Sequence, residues 1–209
     1  MTIKSYDELS SLELDTLKEI GSIGTGNAAT SLSALIGKTV RIQQPEVRIM
    51  EYNEAIEWIG GPEPITAGVL VGMSGQLSGI MLSVQQLDFV NLVLESMMEK
   101  TIQDYLALQE LERSALTEVG NIMISTFINA LSGLAGLDIE LTVPAFTVDM
   151  QGAIMAVPMA EYGGQSNYIM TIGGNFICNG KEIPCRLLLS PDIRSLNFLL
   201  RKLGVNSGE

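Results

Sequence analysis

A hydroxyl, a carboxylate and an amide are spaced to share one face of a helical stretch: Ser114, Glu118 and Asn121, at the start of the run Ser114–Gly136. At about 100° per residue they fall within about 60° of one another on the helical wheel. Leu116, Val119, Ile122, Met123 and Phe127 around them are apolar. Asparagine is a poor residue inside a helix, because its short amide competes with the backbone for hydrogen bonds. By periodicity alone, such a stripe is often just a solvated face. Its functional alternative is narrow, because the chain contains no histidine. That excludes Ser-His, Cys-His and His-metal chemistry within the chain. A carboxylate and an amide without a nucleophile can instead complete the active site of another protein. An amide both donates to and accepts from water, so it can aim a water at an electrophile. Phosphoryl transfer depends mainly on such positioning and on electrostatics. A carboxylate can pair with a lysine on the partner and fix the register of the two surfaces.

The same pattern stands 99 residues earlier. Residues 12–49 align with 111–148 without a gap, and 11 of the 38 positions are identical. This is an internal duplication. The second copy reads Ser114-x3-Glu118-x2-Asn121-x22-Pro144, and the first reads Asp15-x3-Glu19-x2-Ser22-x22-Pro45. A serine replaces the amide in the first copy. Retention of the glutamate is also what a structural preference for negative charge near a helix N-terminus would give.

The elements that carry these residues follow from local pattern. Residues 1–11 read as a polar lead-in, with Ser10 or Ser11 as N-cap of a helix over Leu12–Ile36 and Gly37 as its C-cap. Gly21, Gly24 and Gly26 would weaken that helix by about 1 kcal/mol each unless a neighbour packs closely against them. Lys38–Gln43 reads as a strand that ends or bulges at Pro45. Thr66–Met73 and Leu77–Val84 read as a strand pair turning at Ser74-Gly75, and Leu87–Met98 as an amphipathic helix. In the second half Asn167–Ile172, Asn175–Ile177 and Arg186–Leu189 read as strands, and Pro191–Leu203 as a helix. Loops rich in Gly and Pro are expected at Gly60–Pro64 and Gly163–Gln165, and Glu99–Leu111 is a helix-prone join. The expected fold is α+β: one domain over 1–209, made of two homologous halves (about 12–98 and 111–204). The halves share one continuous pseudo-two-fold β-sheet carrying two long motif-bearing helices.

Composition narrows the setting. The net charge of −12 argues against nucleic acid or an anionic membrane as partner. No apolar run reaches the roughly 20 residues of a membrane span. The acidic N-terminus does not read as a secretory signal, so a cytoplasmic location without membrane insertion is expected. Cys178 and Cys185 then read as free thiols in strands.

The duplicated motif with its proline offset resembles the CheC/CheX/FliY family of chemotaxis phosphatases. The runs Leu17-Lys-Glu-Ile-Gly-Ser-Ile-Gly-Thr-Gly-Asn and Leu116-Thr-Glu-Val-Gly-Asn-Ile-Met carry the likeness. The resemblance implies hydrolysis of the aspartyl phosphate of the response regulator CheY, a hydrolase activity. Glu118 would bind the active-site lysine of CheY and Asn121 would orient the attacking water. Ser114 would be an accessory polar position, and Pro144 would shape the strand beside the site. No cofactor is expected in this chain; Mg²⁺ would belong to the CheY substrate. The first centre, Asp15, Glu19, Ser22 and Pro45, departs from the pattern at Ser22 and is expected to be weak or silent. The resemblance further implies CheD as partner, with Asp149 as candidate contact; a solvated strand residue is the plain alternative there. The competing readings are mainly a CheD-binding regulator of receptor deamidation, or a non-enzymatic adaptor of the flagellar switch.

Overall fold

The computed structural model of the chain describes residues 2–162 and 167–205. The expected loop at Gly163–Gln165 lies outside the described residues. Helix α1 (Ser11–Ile36) starts at a capping box: the Ser10 hydroxyl accepts from the Glu13 N–H, and the Glu13 carboxylate accepts from the Ser10 N–H at 2.8 Å. It ends at Gly37, whose φ of +66° is the left-handed cap that a Cβ would disfavour. Its duplicate α4 (Glu110–Ala135) keeps the glutamate half of that box, the Glu112 carboxylate accepting from the Gln109 N–H at 3.0 Å, and the same left-handed glycine, Gly136.

Seven strands form one sheet, all paired antiparallel: β1 (Val40–Glu51), β2 (Ile65–Gly75), β3 (Gly79–Gln85), β4 (Ile139–Leu141), β5 (Ala145–Met150), β6 (Tyr168–Cys178) and β7 (Lys181–Pro191). The order is β1-β6-β7-β3-β2-β4, with β5 also on β2. The continuous sheet expected from the duplication is therefore present, with the halves interleaved. β1, from the first half, lies beside the β6–β7 hairpin of the second. β4 and β5, from the second half, lie beside the β2–β3 hairpin of the first. β3 and β7 meet at the centre.

This exchange puts both motif prolines at the edges of the sheet, where a missing N–H disrupts no central ladder. Pro45 sits in a bulge of β1 between Gln43 and Glu46, and β1 continues to Glu51 rather than ending there. Pro144 sits in the gap between β4 and β5, which Thr142 bridges by accepting from the Gly72 N–H and donating its own N–H to the Gly72 carbonyl, both at 2.9 Å.

Further differences from the sequence reading have local causes. Ser74 and Gly75 belong to β2, and the chain turns over Gln76–Ser78. The two strands expected around Gly173-Gly174 are one, because Gly174 lies across from the β1 bulge and the ladder resumes beyond it. Helices α2 (Tyr52–Ile59) and α5 (Gln151–Tyr162) were not anticipated. They cover the second face of the sheet over a small core of Met50, Ala55, Ile59, Leu82, Ile154 and Met155. Helices α1, α4, α3 (Leu87–Met98) and α6 (Ile193–Lys202) bury the main core on the other face.

The lead-in and the join form a matched pair. Tyr6 and Tyr105, also 99 residues apart, stand in 3-10 turns. Tyr6 donates its hydroxyl to the Pro191 carbonyl at 2.7 Å, and Tyr105 to the Gln85 carbonyl at 2.9 Å. Ile3 and Ile102 are each held by an asparagine of the following half's last helix or the preceding one's, Asn197 and Asn91. So the lead-in is not merely polar: Ile3, Tyr6 and Leu9 are buried. The join holds one 3-10 turn before α4 begins.

Candidate active site

Helix α4 is fixed on its inner side by Leu116, Val119, Met123, Phe127 and Leu131, all buried. Gly120 permits the close approach. A Cβ there would fall 2.6 Å from Val69 Cγ2 and 2.9 Å from Gln85 Nε2, inside contact distance. The equivalent Gly21 in α1 faces Val47, and Gly24 faces the Phe127 ring of α4, while Gly26 meets nothing. Two of the three α1 glycines are therefore packing residues.

With that face locked, the opposite stripe of α4 points to solvent. Ser114 and Glu118 are exposed and Asn121 is half-buried. Among the described residues the Glu118 carboxylate has no ion-pair or hydrogen-bond partner. Among the described residues the Asn121 amide oxygen is approached only by the Ser125 hydroxyl, at a long 3.5 Å. Both groups are thus free to engage a ligand. Pro144 is half-buried between β4 and β5 of the same half.

At the first copy Glu19 is exposed, and Ser22 and Pro45 are half-buried. Asp15 is tied to Lys18 at 2.9 Å, which puts a cation on this stripe that α4 lacks, since Thr117 stands at the matching place. Asp149 is exposed near the end of β5, opposite Thr66, and its carboxylate accepts from the Met150 N–H at 2.7 Å.

The thiols are free and buried; desolvation pushes Cys185 up to about 12. Among the described residues no group of three Cys, Asp or Glu converges as a metal site, and no helix is long and apolar enough to cross a membrane.

One residue under the site escapes sequence reasoning: Gln85, fully buried, whose amide donates to the Leu116 carbonyl of α4 at 3.0 Å. Nothing in its local pattern singles it out.

Comparison with known proteins finds similarity at the two motif segments and over the fold. The CheC-like family profile matches residues 12–49 and 111–148, the two motif segments. The CheY-P phosphatase CheC of Bacillus subtilis is 24% identical over 198 residues, covering 93% of this chain and 95% of that protein. Thermotoga maritima FliY shares the fold with a TM-score of 0.70 at 20% identity, over 94% of this chain and 98% of the other. A chain of the CheX–CheY–BeF3–Mg2+ complex from Borrelia burgdorferi aligns with a TM-score of 0.52 at 16% identity, over 83% and 96%. The chain is thus similar to the CheC-like family at both motif repeats, and to CheC over nearly its whole length.

Proposed function

We propose that the chain is a chemotaxis phosphatase that hydrolyses the aspartyl phosphate of phosphorylated CheY, with α4 as its active centre. The observation that carries this reading is the free Glu118–Asn121 pair, one turn apart on the solvent face of a helix whose other face is locked. The Asn121 amide holds a water in line with the phosphorus. As the water's oxygen bonds to phosphorus, the bond to the aspartyl oxygen breaks, leaving aspartate and inorganic phosphate. A loose transition state of this kind needs positioning more than a strong base, which suits a chain without histidine. Glu118 pairs with the lysine of CheY and sets the register of the helix on its partner. Mg²⁺, carried by CheY, neutralises phosphoryl charge when bound. The naming of the Bacillus subtilis relative as a CheY-P phosphatase supports the substrate, and the complex that holds CheX with CheY, BeF3 and Mg2+ supports the placement of the metal.

The first helix is a weak or silent centre. The Ser22 hydroxyl is shorter than an amide and lacks its paired donor and acceptor. Lys18, ion-paired with Asp15, also occupies the stripe beside Glu19, where the second copy has the smaller, neutral Thr117.

The test is the decay of phosphorylated CheY with catalytic amounts of the protein. Wild type should accelerate decay and Asn121→Ala should not. Equal acceleration by both would sink the assignment to α4.

One observation favours CheD binding as an accompanying role. Just after Asp149, α5 exposes Ala153, Ala156, Val157 and Ala160, an apolar stripe at helical spacing. Asp149→Lys should abolish capture of CheD in a pull-down while leaving decay of phosphorylated CheY unchanged.

A further inference from the structure

We propose that Gln85 is a positioning residue for the active helix: its buried amide seats α4 from beneath and sets where Glu118 and Asn121 stand. The inference rests on the phosphatase reading for its kinetic arm only.

Gln85 closes β3, with its side chain on the face that carries α1 and α4. It is fully buried, and its Nε2 donates to the Leu116 carbonyl at 3.0 Å. Leu116 lies in the turn that carries Glu118 and leads into Asn121. Gly120, one turn on, leaves room for the amide, since a Cβ there would stand 2.9 Å from Nε2. The main chain of Gln85 is held as well: its carbonyl accepts from Tyr105 at 2.9 Å and from Thr66 at 3.1 Å. The strut is therefore anchored at both ends.

Two features separate this contact from ordinary packing. The Oε1 atom is buried with no hydrogen-bond partner, a cost that an apolar side chain of the same length would avoid. Among the described residues the other half has no such strut. The carbonyl that accepts from Tyr6, as Gln85 does from Tyr105, belongs to Pro191, which has no side-chain donor. So the polar strut lies under the helix with the Glu/Asn pair, and a proline takes its place in the half with serine.

The experiment compares wild type, Gln85→Met and Gln85→Glu in two readouts. Amide exchange should rise in α4 around Leu116–Ile122 in Gln85→Met, and not in the matching part of α1. The kcat for phosphorylated CheY should fall about 5–10-fold with KM nearly unchanged. That loss should vanish in the Asn121→Ala background. In Gln85→Glu the buried carboxyl donates to Leu116 only when protonated, so activity relative to wild type should recover as pH falls, whereas Gln85→Met stays flat. Unchanged α4 exchange in Gln85→Met, or unchanged kcat with active wild type, would overturn the proposal. An inactive wild type with selectively loosened α4 would overturn the phosphatase reading and uphold the strut.

Discussion

Asn197 clasps Ile3 across almost the full length of the chain: its amide nitrogen donates to the Ile3 carbonyl at 2.7 Å and its oxygen accepts from the Ile3 N–H at 2.9 Å. Asn91 grips Ile102 in the same way, at 3.1 and 2.8 Å. Each clasp ties the segment before a motif helix to another helix on the same face of the sheet, α6 or α3. Asn197→Ala leaves a buried N–H and a buried carbonyl unpaired. It should cost about 2–4 kcal/mol, read as a lower Tm and a lower denaturant midpoint. A loss under about 0.5 kcal/mol, the scale of an ordinary surface change, would show the clasp to be incidental.

Two glycines of α4 should respond in opposite directions. Gly133 has nothing within 4 Å of a built Cβ, so Gly133→Ala should stabilise by about 0.5–1 kcal/mol through helix propensity. Gly120→Ala gains the same propensity but drives a methyl into Val69 and Gln85. It should lose about 1–3 kcal/mol net and displace α4, so on the proposed function hydrolysis of phosphorylated CheY should fall with stability. Chemical denaturation of both variants checks the sign.

Acid should attack the start of α4. Glu112 is held below the ordinary carboxylate range, first by its hydrogen bond with Lys100, then by backbone N–H groups. A depressed folded pKa gives stability that is complete above the unfolded value, about 4.3, and is lost as pH falls through the folded one. Thermal unfolding followed from pH 7 downward should therefore show Tm falling in the acid range. Glu112→Gln should start less stable and show a shallower fall there.

Restoring the amide should wake the first centre. In the Asn121→Ala background, Ser22→Asn should raise the hydrolysis rate of phosphorylated CheY above that of Asn121→Ala alone. Adding Lys18→Thr should raise it further by removing the cation beside Glu19. No gain from either would place the defect of the first site outside these side chains.

Native thiols should be silent. Cys178 and Cys185 are 2% exposed, and Cys185 is pushed up to about 12. A thiol reagent at pH 8 should label neither in the folded protein and both once it is unfolded.

The sequence by itself determined the duplication, both long helices with their glycine caps, and the Glu118–Asn121 stripe. These are local facts: periodicity, caps and a fixed offset of 99 are written into neighbouring residues. Carried back a few residues, the same offset pairs Ile3, Tyr6 and Leu9 with Ile102, Tyr105 and Leu108, so the matched lead-in was legible there too. α2 and α5 were harder to read, because each starts directly at the end of an edge strand; α5 also contains Pro158. Only the tertiary structure decided which strands pair, since antiparallel neighbours are chosen by sheet assembly, and here each half sends its first strand to the other. For the same reason only the structure brought Gln85 of β3 beneath Leu116. A contact between residues 31 apart, made by a polar group inside a core, has no periodic signature.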